Sequence, residues 1–119
     1  MKIYISGPIT GRDPEQVKLA FDTAEQEIRS KGHEPVNPHK LQTILDPATT
    51  DWAQYMHVAL SLVKVCDAIY MLPGWKKSAG AGYEHIFAED EHKHIFYSMR
   101  EIWQPAQPGE TEEGTNEKA

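Results

Sequence analysis

Two glycine-rich segments hold the side chains best suited to chemistry in this 119-residue chain. The first, Ser6-Gly7-Pro8-Ile9-Thr10-Gly11-Arg12, offers backbone N–H groups, the Thr10 hydroxyl and the Arg12 cation, a set that suits a small anion. It lacks the Gly-Lys-Ser/Thr ending of a nucleotide P-loop, and its glycines equally suit a tight turn with no ligand. The second runs from Leu72 to Glu84, with small residues at 78–82 where another group can approach the backbone closely. Glu84 then reads either as a carboxylate nucleophile at the mouth of a pocket or as an acid complementing a helix dipole, worth ~0.3–1 kcal/mol. Lys76 and Lys77 add positive charge to the same segment. Trp75 follows the Pro73-Gly74 turn, where it can wall a pocket by stacking or pack on a neighbouring subunit.

Other chemically able residues have plainer readings. His85, His92 and His94 contain no i,i+4 pair and have no supporting cysteine, so no metal is expected. The single Cys66 reads as a small core residue without a nearby cation to activate it. Trp52, Tyr55 and Met56 stand at helical spacing and read as core or subunit interface.

The elements that must position these residues alternate between strand and helix. Ile3-Tyr4-Ile5 is a buried strand that ends at Ser6-Gly7-Pro8. Asp13-Pro14-Glu15-Gln16 starts a helix, with Asp13 as cap, Pro14 in the first turn and Gln16 at the capping-box position. Val17, Ala20, Phe21, Ala24 and Ile28 give that helix its apolar face, and Gly32 ends it before a short strand at Glu34-Pro35-Val36. Asn37 to Thr50 reads as a long polar loop, and such loops are often functional. Asp51 can cap a second helix bearing Trp52, Tyr55, Met56, Ala59, Leu60 and Val63. Ala68 to Leu72 is a central strand, Gly80 to Glu91 a third helix, and His94 to Tyr97 a fourth strand. The expected fold is therefore α/β: a Rossmann-like (flavodoxin-like) three-layer domain on a four- to five-stranded parallel sheet. Ligands in such sheets bind beyond the carboxyl ends of the strands, where strand order reverses, so the two glycine-rich segments should meet there.

Composition sets the outer bounds. At 13.5 kDa the chain is one domain, expected over residues 1–103, followed by an acidic disordered tail at 104–119. That tail holds four glutamates and one lysine, which accounts for −3 of the formal net charge of −6. An acidic domain is not expected to bind nucleic acid, whose backbone calls for a basic face. No apolar run approaches the ~20 residues of a membrane helix. A lone cysteine and a first strand that starts at the amino end point to a reducing cytoplasm.

The run Ser-Gly-Pro-Ile-Thr-Gly-Arg after the first strand, with Ser78-x-Gly80-x-Gly82-Tyr83-Glu84, resembles the nucleoside 2-deoxyribosyltransferase and deoxynucleoside 5′-monophosphate N-glycosidase superfamily. Cys66-Asp67-Ala68-Ile69, Leu72-Pro73-Gly74-Trp75 and Ser78-x-Gly80 look more closely like its small DUF4406 branch, over roughly residues 2–97. The resemblance implies that Glu84 attacks the anomeric carbon of a 2′-deoxynucleoside or its 5′-monophosphate, that Tyr4 holds Glu84, and that water or another base resolves the glycosyl-enzyme. It further implies a phosphate and substrate site from Gly7, Ile9, Thr10, Arg12, Ser78, Gly80, Gly82 and Trp75, no cofactor, and a homo-oligomer whose neighbours complete the pocket.

Two positions depart from the superfamily pattern. Pro8 stands where the monophosphate-specific members have a second phosphate-binding serine. The catalytic Asp, eight residues ahead of the Asp that opens the third strand, falls on Ala59, since Asp67 matches that strand residue. Asp67 itself is expected to bond backbone between the second helix and third strand. The spacing selects none of Asp51, His57 or His39 as a replacement acid. Besides the enzyme, a nucleotide-binding domain that has lost catalysis and an interaction protein using the acidic tail stay open.

Overall fold

Alternating side chains on the central strands divide the core into two layers. In the computed structural model, which describes residues 1–46 and 49–103, Lys2–Ser6 (β1) and Ala68–Met71 (β3) are almost wholly buried. Ile3, Ile5, Tyr70 and Leu72 face one way, against Val17, Phe21, Ala24 and Ile28 of the helix Pro14–Ser30 (α1). Tyr4, Ile69 and Met71 face the other way, against Val63 of Trp52–Val65 (α2) and Ala81 and Ala88 of Ala79–Asp90 (α3). That period-two split is what a parallel sheet covered on both faces requires.

Glu34–Val36 (β2) and His94–Phe96 (β4) complete a four-stranded sheet in the order β2-β1-β3-β4, with every pairing parallel. The register sets Ile3 beside Ala68 and Ser6 beside Met71. Strand order reverses between β1 and β3, and both glycine-rich segments leave the sheet there. They meet closely: a Cβ on Gly7 would lie 2.7 Å from Leu72 Cδ1 and 2.8 Å from its Cβ, so only glycine fits. Gly74, at φ +86°, turns the chain leaving β3 in a conformation that disfavours other residues.

Local signals explain most boundaries. Asp13 caps α1 by accepting from Glu15 N–H at 3.3 Å. Ser78 does the same for α3, its hydroxyl accepting from Ala81 N–H at 3.2 Å. Asp51 holds the cap position of α2 but makes no side-chain capping bond. The segment expected as a loop after β2 contains a 3₁₀ helix, Pro38–Thr43. Asn37 explains this order: it is buried, its Oδ1 accepts from His39 N–H, and its amide nitrogen donates to Asp22 and Glu25 of α1 at 3.0 Å each. Asp67 ties β3 to the start of β1 by accepting from Lys2 N–H at 2.8 Å, rather than joining α2 to β3. No helix among the described residues is long and apolar enough to cross a membrane. The expected acidic tail, 104–119, lies outside the described residues.

Candidate active site

Glu84 is the one acidic side chain buried among the described residues. It sits on α3 with its carboxylate turned to the carboxyl end of β1. The Tyr4 hydroxyl donates to Oε2 and the Ser6 hydroxyl donates to Oε1, each at 2.6 Å. Residues 4 and 6 share a strand face, so the pleat itself delivers both donors to one carboxylate. Burial lifts the Glu84 carboxyl to about 7, while the bonds from Ser6 and Tyr4 pull it back down. Burial, then the neighbouring Glu84, pushes the Tyr4 phenol well above its usual range, which keeps it a donor. A carboxyl poised near neutrality and fixed through both oxygens can act as a nucleophile or exchange a proton.

Glu84 opens onto a cavity of about 510 Å³, a size within the ~300–1,000 Å³ of small-molecule sites. Tyr4, Gly7, Ile9, Thr10 and Arg12 line it from the β1 side, and Ser78, Gly80 and Glu84 from α3. The two segments expected to converge do so. Gly82 is outside the lining. Trp75 is also outside it, because the turn at Gly74 folds the indole back onto α3, where it stacks on His85 with ring centroids 4.4 Å apart and packs on the second core layer. Lys76 and Lys77 follow that turn away from the cavity, leaving Arg12 as its lining cation.

Trp52, Tyr55 and Met56, expected as core or interface, line the cavity from α2, Met56 while also buried among the core residues. Trp52 is half exposed at the rim and meets Tyr83 edge-on. The Tyr55 phenol, raised to about 12 chiefly by burial and then by Glu84, points to the Pro38 carbonyl at 3.4 Å. Ala59 is fully buried and absent from the lining. Sequence reasoning missed Ser6 as a partner of Glu84, although strand alternation with Tyr4 carries the signal. It named His39 only as one of three unranked acids and missed Pro38 and Gln42 beside it in the cavity wall, because the 3₁₀ helix has no periodicity to read. Cys66 is buried, and burial pushes its thiol up to about 11.

A family model described as a domain of unknown function, DUF4406, matches residues 1–97. The chain belongs to that family. This DUF4406 member also shares its fold with solved structures. A 2-deoxyribosyltransferase from Bacillus psychrosaccharolyticus superposes with a TM-score of 0.62 at 21% identity, covering 80% of this chain and 69% of that one. A CMP N-glycosidase from Clostridium botulinum gives 0.54 at 21% identity, covering 80% of this chain and 66% of that one. A 2-deoxyribosyltransferase from Leishmania mexicana gives 0.55 at 20% identity, covering 79% and 61%. The DUF4406 chain thus spans about two thirds of the length of these neighbours. No curated protein matches it.

Proposed function

We infer that this DUF4406 domain cleaves or transfers the N-glycosidic bond of a 2′-deoxynucleoside or its 5′-monophosphate, with Glu84 as nucleophile. The observation that carries the reading is the buried Glu84 carboxylate, held through both oxygens by Tyr4 and Ser6 at the wall of a nucleotide-sized cavity. Departure of a base from C1′ develops oxocarbenium character, which a fixed carboxylate stabilises before it bonds to that carbon. Arg12 and Ser78, with the backbone N–H groups of Gly7, Ile9 and Thr10, supply the groups for a 5′-phosphate in the same cavity. Gly80 lines the cavity beside Ser78 and faces Met56. The fold shared with two deoxyribosyltransferases and a CMP N-glycosidase supports the same chemistry.

Incubation with the four deoxynucleosides and their monophosphates, following free base by chromatography, tests the activity. Base release that Glu84→Ala abolishes supports the reading, and release that survives the substitution sinks it. A slow 2-fluoro deoxynucleoside analogue should leave a glycosyl adduct on the intact protein, visible by mass spectrometry. Buried Ala59, in place of the superfamily's Asp, favours a second reading in which the cavity binds nucleotides without turning them over. Thermal stabilisation by a monophosphate with no base release would select that reading. Self-association belongs with the enzymatic reading: Trp52 and Tyr83 expose aromatic surface at the cavity rim, and a second copy of the chain would cover it.

A further inference from the structure

We propose that His39 protonates the departing base, the role left vacant by Ala59. The proposal rests on the N-glycosidic reading above and starts from which side chains reach the cavity. Of the three candidates the spacing left equal, only His39 lines it, whereas Asp51 and His57 are exposed and stand outside the lining. The other titratable side chains in the lining are committed or unsuited. Glu84 is the nucleophile, Tyr4 is bonded to it, and Arg12 keeps its proton at any working pH. Tyr55 releases its proton only near 12. Imidazole is the side chain that exchanges a proton near neutrality.

Placement supports the same choice. An in-line displacement at C1′ requires the nucleophile and the leaving base on opposite sides of the sugar. Glu84 projects from α3, on the face of the sheet that carries Tyr4. The His39 ring instead lies against Phe21 of α1, on the other face, with ring centroids 6.0 Å apart. Tyr55 comes from α2, and its hydroxyl is directed to the Pro38 carbonyl at 3.4 Å. His39 is also fixed in place, since its backbone N–H is bound by Asn37, which α1 anchors through Asp22 and Glu25.

The step balances without a further reactant. A Glu84 oxygen bonds to C1′ as the C1′–N bond breaks, its electron pair passing to the base, and protonated His39 gives a proton to a ring nitrogen or exocyclic oxygen of that base. The neutral imidazole then takes a proton from the water that attacks C1′, releasing the sugar and restoring the Glu84 carboxylate.

Two substrates separate this role from a structural one. An unmodified deoxynucleoside monophosphate needs its base protonated, whereas a 7-methylated purine deoxynucleoside monophosphate releases a neutral base with no proton. His39→Gln should slow release from the first by roughly 10²–10⁴-fold, the usual size of a lost general acid, and from the methylated substrate by less than about tenfold. Equal losses on both substrates, or no loss on the first, overturn the assignment. The methylated substrate also reports that the variant is folded. Should wild-type protein release base from neither substrate, the N-glycosidic reading falls and takes this one with it. Glu84-dependent release that persists undiminished in His39→Gln overturns His39 alone.

Discussion

At neutral pH the Glu84 carboxyl is divided between two protonation states, and each state has its own consequence. Its value in the fold, about 7, lies above the 4.5 of a free glutamate, so the folded chain binds more protons than the unfolded chain between those limits. Stability from this group is therefore complete below about pH 4.5 and declines as pH rises through 7. Glu84→Gln should remove that decline and make the protein more stable at pH 8, by on the order of 2–3 kcal/mol in urea unfolding. Activity should run the opposite way: under the proposed mechanism only the ionised form attacks, and base release should climb along an acid limb near pH 7. Ser6→Ala removes one of the two bonds that favour ionisation. Its limb should move to higher pH, by about one unit for a hydrogen bond to a charged group. An unmoved pH–rate profile would show that Ser6 does not tune the carboxylate. The pairing of Glu84 with Tyr4 was legible through the family resemblance, in which Glu84 ends the Ser-x-Gly-x-Gly-Tyr-Glu run and a tyrosine of the first strand holds it. Ser6 was not, because it reads as the first residue of a turn until its strand face is known.

Among the elements, the close contact between the exits of β1 and β3 carries the site. Gly7→Ala would drive a methyl group into the Leu72 side chain, and because one blocking atom is Leu72 Cβ, rotamer change alone gives no relief. A loss of roughly 1–3 kcal/mol is expected in thermal unfolding, with weakened substrate binding as the segments part. The 3₁₀ helix depends on Asn37, whose amide donates to Asp22 and Glu25. Lys18 chiefly holds the Asp22 carboxyl below its usual range, and Asn37 chiefly does so for Glu25. Asn37→Asp would place a third carboxylate against these two. It should cost on the order of 1–3 kcal/mol at pH 7, and the deficit should fade as acid protonates the cluster towards pH 4. A deficit that persists unchanged at pH 4 would count against charge repulsion. The three helices and four strands were legible because capping residues and apolar periodicity mark them. The polar stretch after β2 was not, since its order comes from one buried amide reaching an earlier helix.

For the described molecule as a whole, the cavity and residues Ile102 and Trp103 occupy opposite ends of the sheet. Ile102 is buried in the α1 core layer, and the Trp103 carbonyl meets His33 Nε2 at 2.6 Å beside the amino end of β1. The Lys31 ammonium donates to the carbonyls of Met99 and Ile102. Ile102→Ala should therefore lower stability by roughly 2–4 kcal/mol while base release at saturating substrate stays unchanged. A matching loss of release at a temperature where the variant is fully folded would show that the two ends are coupled. The sequence places the charge only coarsely, because the turn at Gly74 carries Lys76 and Lys77 away from the cavity. The hydroxyl fork on Glu84 has a mechanical side as well. Both donors belong to a central strand bonded on each edge, so the carboxylate inherits the stiffness of the sheet while the facing wall is a short 3₁₀ turn. If Glu84 is the nucleophile proposed above, substrate must come to a stationary carboxylate, and adjustment to bases of different size falls to the wall opposite.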